Sequence, residues 1–181
     1  MKKIFIIILV LLLTACSSSN NTPTSAVETY LSKYQNLDSD VLKELDKSIS
    51  KEDNMSSEQK NKYKDLLEKQ YQNLSYKIKN EETIGDISTV SVEIEVLDYA
   101  TSISNSKKYF LEQRDEFKES NNINEKNIDK NSSYIDYKLE KLKEVKDKTK
   151  YELIFELEKN DNSWKIKNLN DLDRRKIHGL Y

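Results

Sequence analysis

The sequence predicts an α+β domain, with N-terminal helices packed on a curved antiparallel sheet of about four strands. A helical insertion separates the two strand pairs. Three observations lead there. Apolar residues recur with a period near 3.6 from Val27 to Leu74. The period becomes 2 from Tyr76 to Val96 and again from Tyr151 to Ile166. Between those strand pairs, a charged stretch returns to helical spacing. Strand pairs with helices segregated from them belong to the α+β class.

Before the domain comes a leader. Met1-Lys2-Lys3 is basic, and Ile4 to Leu13 is an unbroken apolar run. A stable membrane span needs roughly 20 apolar residues, so this run fits the hydrophobic core of a secretory signal peptide instead. Leu13-Thr14-Ala15-Cys16 follows directly. This segment resembles the lipobox of bacterial lipoproteins, an apolar residue and two small ones before a cysteine. The resemblance covers residues 1–16. It implies that Cys16 receives a diacylglycerol, that a signal peptidase recognising Leu13, Thr14 and Ala15 cuts before Cys16, and that the new amino terminus is often acylated. The competing reading, an ordinary signal peptide cut elsewhere, leaves Cys16 as a free thiol. Cys16 is the only cysteine, so an internal disulfide is impossible. The expected organisation is a signal peptide at 1–15, a lipidated cysteine and polar tether at 16–25, and one domain at 26–181. Ser17 to Ser25 holds nothing that could enter a core, and it extends to roughly 30 Å at most.

The helices come next. Ser25 and Glu28 suggest a capping box with Ser25 as N-cap, followed by Val27, Tyr30, Leu31 and Tyr34. A second helix is expected from Asp38 or Ser39, with Val41, Leu42, Leu45 and Ile49 on one face. Ser56 and Gln59 form another capping box, with Met55 in the staple position, for a third helix carrying Tyr63, Leu66, Leu67, Tyr71 and Leu74.

A strand beginning at Tyr76 and Ile78 turns at Gly85-Asp86. Val90, Val92, Ile94 and Val96 then alternate with Ser91, Glu93, Glu95 and Leu97. The helical insertion spans residues 105–147. Tyr109, Phe110, Gln113 and Phe117 mark its first half, Ser120 to Asn124 a polar break, and Ile128, Ile135, Leu139, Leu142 and Val145 its second half. The second strand pair alternates Tyr151, Leu153, Phe155 and Leu157 with Glu152, Ile154, Glu156 and Glu158. Asn160-Asp161-Asn162 turns the chain into Trp164 and Ile166. Asn170 or Asp171 caps a last helix with Leu172 and Ile177 on its face, and Gly179 stops it.

Three segments carry a second resemblance. They are Thr24-Ser25-Ala26-Val27-Glu28-Thr29-Tyr30-Leu31, the strand Thr89 to Val96, and Tyr151 to Leu157 with Trp164-Lys165-Ile166. Together they resemble the cone-shaped domain of nuclear transport factor two and its relatives, as carried by small lipoproteins of low-GC Gram-positive bacteria. The resemblance runs over residues 24–170. It implies a sheet with one face lining a pocket. That fold hosts enzymes and binding modules alike, so it implies no activity.

Several chemistries are excluded by composition. Two glycines, Gly85 and Gly179, cannot build a phosphate-cradling loop. Of 30 basic residues, Lys2 and Lys3 lie in the leader, which leaves 28 against 32 acidic ones and no electrostatic case for nucleic acid. No zinc set is available with Cys16 lipidated, and no metal or cofactor is expected. The single histidine, His178, is either a lone general base or a cation favoured by the negative end of a helix dipole. Glu93, Glu95, Glu152 and Glu156 are either an acid/base set facing a pocket or a solvated sheet face beside cross-strand lysines. Asn160-Asp161-Asn162 and Asn170-Asp171-Leu172-Asp173 lack the glycine and distal glutamate of a calcium loop, and turn and cap chemistry accounts for them. Tyr30, Tyr34, Tyr63, Tyr71 and Tyr151 lie on apolar faces, where packing competes with sugar stacking as their role. The expected function is a non-enzymatic binding or accessory domain. It would sit at the cell membrane on the extracytoplasmic side, held by lipid on Cys16 and facing a protein or cell-wall partner. A small-molecule enzyme or ligand pocket is the alternative. The insertion, ordered yet unnecessary for closing the sheet, is either the partner surface or simply a cover for one sheet face.

Overall fold

The computed structural model describes residues 21–113 and 123–181. The first helix, α1 (Pro23–Gln35), starts earlier than predicted. Thr22, not Ser25, is its N-cap, accepting a hydrogen bond from the Ser25 N–H at 3.1 Å. Pro23 occupies the first turn, where a missing N–H costs nothing and a fixed φ suits the helix. Residues 23–25, predicted to lie in a tether, form the first turn of this helix. Val27, Leu31 and Tyr34 form the buried face of α1, as their spacing predicts. In α2 (Ser39–Ser50), Val41, Leu45 and Ile49 turn inward. The predicted capping box opens α3 (Ser57–Asn73): the Ser56 N–H donates to Gln59 Oε1 at 2.9 Å, and the Gln59 N–H donates to Ser56 Oγ at 3.2 Å. Met55 does not staple the helix, because the residue at the fourth position is Lys60. It packs instead on the cluster that includes Leu66.

Four strands follow: β1 (Ser75–Ile84), β2 (Ile87–Leu97), β3 (Lys148–Asn160) and β4 (Ser163–Ile166). They form one open antiparallel sheet in the order β1-β2-β3-β4. The two predicted strand pairs are thus halves of a single meander, joined where β2 and β3 pair from Ile87↔Glu158 to Leu97↔Lys148. Gly85 supplies φ +60° for the two-residue turn between β1 and β2. Asp161 and Asn162 both have positive φ, at 47° and 66°, which is the primed geometry a right-twisted hairpin requires.

Val90, Val92, Ile94 and Val96 of β2, with Leu153, Phe155 and Leu157 of β3, are fully buried. They meet α1, α2, α3 and the last helix in the main core. Each such side chain contributes about 1.5–3 kcal/mol on burial. Phe155 meets the Tyr30 ring edge-on, with centroids 5.8 Å apart.

The insertion begins sooner than position 105. Asp98 caps α4 (Tyr99–Glu112), accepting from the Thr101 N–H at 3.0 Å. Tyr99 is fully buried, and its hydroxyl donates to the Leu66 carbonyl at 3.0 Å. A 3₁₀ turn (Ile128–Lys130) leads into α5 (Ser132–Glu144). Leu97, expected on the outer sheet face, is buried with Leu66, Tyr99, Ile135, Leu139 and Leu142, because α4 and α5 wrap that end of β2. Phe110, Ile123, Ile128 and Tyr134 form a further cluster within the insertion. Phe117 and positions 120–122 of the predicted polar break lie outside the described residues. The two ends of the excursion meet, with the Asp98 N–H donating to the Asp147 carbonyl at 2.9 Å.

Asn170 caps α6 (Asp171–Ile177). Its buried face is Asp173 and Ile177, whereas Leu172 is exposed, contrary to the prediction. A four-residue step returns to the same helix face and a five-residue step does not. The helix ends in a Schellman motif: Gly179 N–H donates to the Lys176 carbonyl and Leu180 N–H to the Arg175 carbonyl, both at 2.9 Å. Gly179 has φ +69° and lies where any Cβ would collide with the Gln70 side chain and the Leu97 carbonyl.

Candidate functional site

The predicted carboxylates lie on the outer face of the sheet. Glu93 and Glu152 stand opposite each other across β2 and β3. Glu93 accepts hydrogen bonds from Lys79 at 2.9 Å and Lys150 at 3.1 Å, which together hold its carboxyl below the usual range. Lys148 reaches Glu95 at 3.1 Å, and Lys167 reaches Glu156 at 3.4 Å. These are solvated ion pairs on an open sheet face. A general acid needs the opposite treatment, a carboxyl raised by burial.

Two clefts remain. The first lies between α2, α3 and α6, holds about 700 Å³ and carries aromatic rings on its wall. Tyr71 and His178 are 107 residues apart, yet the Tyr71 hydroxyl and His178 Nε2 stand 2.8 Å apart. Tyr34 meets the Tyr71 ring edge-on at 5.0 Å and shares a 3.1 Å hydroxyl hydrogen bond with Tyr30. Burial raises the Tyr34, Tyr63 and Tyr71 hydroxyls well above their ordinary pKa. His178 was expected to be a cation at a helix C-terminus. Instead, burial and then Arg174 lower its pKa to about 4. The ring is neutral at physiological pH because desolvation and a like charge outweigh the dipole. Lys47, Lys51, Arg174 and Arg175 share the rim of the cleft with Glu44, Glu52 and Asp171. Among the tyrosines singled out from sequence, Tyr34 and Tyr71 are buried and Tyr30, Tyr63 and Tyr151 pack against the core, so packing explains them.

The second cleft lies at the root of the insertion and holds about 690 Å³. Thr101, Asn105 and Tyr109 of α4 face Tyr137 and Lys141 of α5 across it. Tyr109 and Tyr137 are stacked at 5.6 Å with planes 17° apart, and Lys141 Nζ stands 5.8 Å from the Tyr137 ring centre. Tyr109 is 43% exposed, unlike the core tyrosines. Such a platform joins apolar ring faces to a polar rim of hydroxyls, an amide and a cation. Helical spacing placed Tyr109 in the sequence reading. Tyr137 carried no signal, since its pairing depends on how α4 and α5 lie against each other.

Asn160-Asp161-Asn162 is the β3–β4 turn, and Asn170 is the α6 N-cap, its Oδ1 accepting from the Asp173 N–H at 2.9 Å. Asp173 is held further by Lys176 Nζ at 3.2 Å, and Lys176 also donates to the Glu152 carbonyl at 2.9 Å. Among the described residues, no three His, Cys, Asp or Glu side chains converge as metal ligands would. Leu13, Thr14, Ala15 and Cys16 lie outside the described residues. No known protein family, curated protein or solved structure matches the chain.

Proposed function

We propose that this chain is a lipid-anchored extracytoplasmic domain that binds a partner without transforming it. Lipid on Cys16 holds it at the cell membrane, and the lipobox-like order Leu13-Thr14-Ala15-Cys16 supports that address. The observation that carries the binding role is the Tyr109–Tyr137 stack in the cleft between α4 and α5, where Tyr109 is exposed and Tyr137 half-buried. Stacked tyrosines contribute large contact area with little side-chain entropy to lose. The partner is a protein segment or a cell-wall polymer that can lie across those rings. Neither nucleic acid nor a bound cofactor enters this reading. The likeness to cone-shaped domains of small Gram-positive lipoproteins is consistent with it and belongs to the same proposal.

The test is site-specific photocrosslinking in cells. A crosslinking amino acid at position 109 or 137 should give discrete adducts, and one at position 156 on the outer sheet face should give none. Tyr109→Ala should remove the adducts formed at 137. Adducts at 156 with none at 109 or 137 would contradict the proposal.

A second reading rests on one specific observation, the Tyr71–His178 pair opening on the cleft beneath α2. There the chain would take a small ligand, or act on one, through a neutral imidazole. His178→Gln abolishing function in an otherwise folded protein would favour that reading. Unchanged function favours the binding role.

A further inference from the structure

The first described residues are fastened to the end of the sheet where both hairpin turns lie. The Asn21 side chain donates to the Asn162 carbonyl in the β3–β4 turn and accepts from the Trp164 N–H at 3.4 Å. Three residues later, the Thr24 N–H and Oγ1 donate to Glu81 Oε2 of β1 at 3.0 and 2.7 Å. The β1–β2 turn belongs to the same end, since the Lys159 N–H donates to the Asp86 carbonyl at 2.8 Å and Ile87 pairs with Glu158. Only residues 17–20 separate Cys16, the expected lipid-bearing position, from Asn21. Even fully extended, the five steps from Cys16 to Asn21 span at most about 18 Å. If Cys16 carries lipid, this end of the sheet is therefore kept within that distance of the bilayer surface.

The same end carries apolar side chains that no core explains. Ile84 is 85% exposed and Ile87 is 46% exposed, and they face each other across the two-residue turn. At the same end, but two strands from Ile87 and on the opposite face of the sheet, stands Trp164, the only tryptophan of the chain, partly packed on the core with Lys159 Nζ 5.9 Å from its ring centre. Tryptophan and lysine are the side chains favoured at the headgroup level of a membrane. Glu82, Asp86, Glu158 and Asp161 offset the nearby lysines, so electrostatic attraction to anionic lipid is not what would seat this surface.

We propose that the hairpin end of the sheet is a second, non-covalent membrane contact, with Ile84 and Ile87 inserted at the headgroup boundary of the bilayer. The proposal rests on the lipid-anchor reading of Cys16. It has a consequence for the binding role. β2 runs about 35 Å from Ile87 to Leu97 at the usual rise per residue, and α4 begins just beyond it. The Tyr109–Tyr137 cleft is carried at the end of the domain away from the lipid and stays accessible to a partner.

The test uses the full mature lipoprotein, extracted with detergent and reconstituted into vesicles of phosphatidylcholine and phosphatidylglycerol. An Ile84→Cys variant is labelled with an environment-sensitive fluorophore, its new thiol being the only reactive one when the Cys16 sulfur is alkylated. A Glu140→Cys variant on α5 serves as the comparison. The label at position 84 should brighten several-fold, shift to the blue and be quenched by lipids spin-labelled near the headgroup, whereas the label at 140 should stay water-like. In the unlabelled protein, Trp164 should be quenched by the same lipids, and the double change Ile84→Ser, Ile87→Ser should remove most of that quenching without lowering Tm. Changing the phosphatidylglycerol fraction should leave both signals nearly constant. Vesicle flotation reports the anchor separately. Protein that floats while the label at 84 is quenched by aqueous iodide as strongly as at 140 overturns the membrane seat and leaves the anchor standing. Protein that fails to float because Cys16 carries no lipid overturns both.

Discussion

Acid should weaken the fold through His178 in a narrow and calculable window. The folded ring titrates at about 4, lowered first by burial and then by Arg174. An unfolded histidine titrates near 6.5. Between those values, the unfolded chain binds the extra proton and the folded chain does not. The stabilisation is therefore complete above about pH 6.5 and is lost as pH falls towards 4. At 1.36 kcal/mol per pH unit, the loss amounts to about 3 kcal/mol by pH 4. Carboxylates also titrate at the acid end, so the measurement must be a difference. Urea unfolding of a soluble form beginning at Ser17 would be followed from pH 7.5 to pH 4 for the wild type and for His178→Gln, which keeps a polar group towards Tyr71 but does not titrate. The wild type should lose about 3 kcal/mol more than the variant over that range. Parallel stability curves would refute the claim that His178 is held neutral by burial.

Other changes test the packing. Gly179→Ala should cost about 3 kcal/mol, because its positive φ disfavours a side chain and its Cβ has no room beside Gln70 and Leu97; an unchanged melting temperature would contradict this. Gln70 is fully buried, its amide accepting from the Leu97 N–H at 2.9 Å and donating to the Leu97 carbonyl at 2.8 Å. Gln70→Leu should cost about 2–5 kcal/mol by orphaning both groups, measured by denaturant unfolding. Phe155→Ala should lose about 3–5 kcal/mol. Glu156→Ala, on the outer face with only an exposed partner in Lys167, should stay within about 1 kcal/mol. Equal losses at these two neighbours would overturn the strand register.

What the sequence disclosed was local. Alternation in β2 and β3 identified the buried face because a strand's period is 2 whatever packs on it. The Ser56–Gln59 box was visible because both its hydrogen bonds close within one turn. The misreadings have physical causes too. Ser25 and Glu28 fit a capping pattern, but Pro23 extends the helix backwards and hands the cap to Thr22. Leu172 drew attention as the apolar residue, although Asp173 shares a helix face with Ile177 and its carboxylate is satisfied by Asn170 and Lys176. Tyr99 falls between the predicted strand and the predicted insertion, and its burial depends on Leu66, from a different helix, which no local pattern announces. The Tyr71–His178 pair and the Tyr109–Tyr137 stack were invisible for the same reason. Each is made by elements distant in sequence, and neither residue of either pair has a local pattern that announces the other.

The functional reading depends on the chemistry at Cys16, and the mass of the amino-terminal fragment tests it most directly. The full precursor would be expressed in a low-GC Gram-positive host, extracted from membranes with detergent and digested, and the first peptide analysed intact. The expected fragment begins at Cys16 and carries a thioether-linked diacylglycerol. Cys16→Ala should accumulate as unprocessed precursor that takes up no fatty-acid label. A mature protein that begins at another residue, or one whose Cys16 is an unmodified thiol, would contradict the anchor, the membrane seat of the hairpins and the extracytoplasmic binding role together.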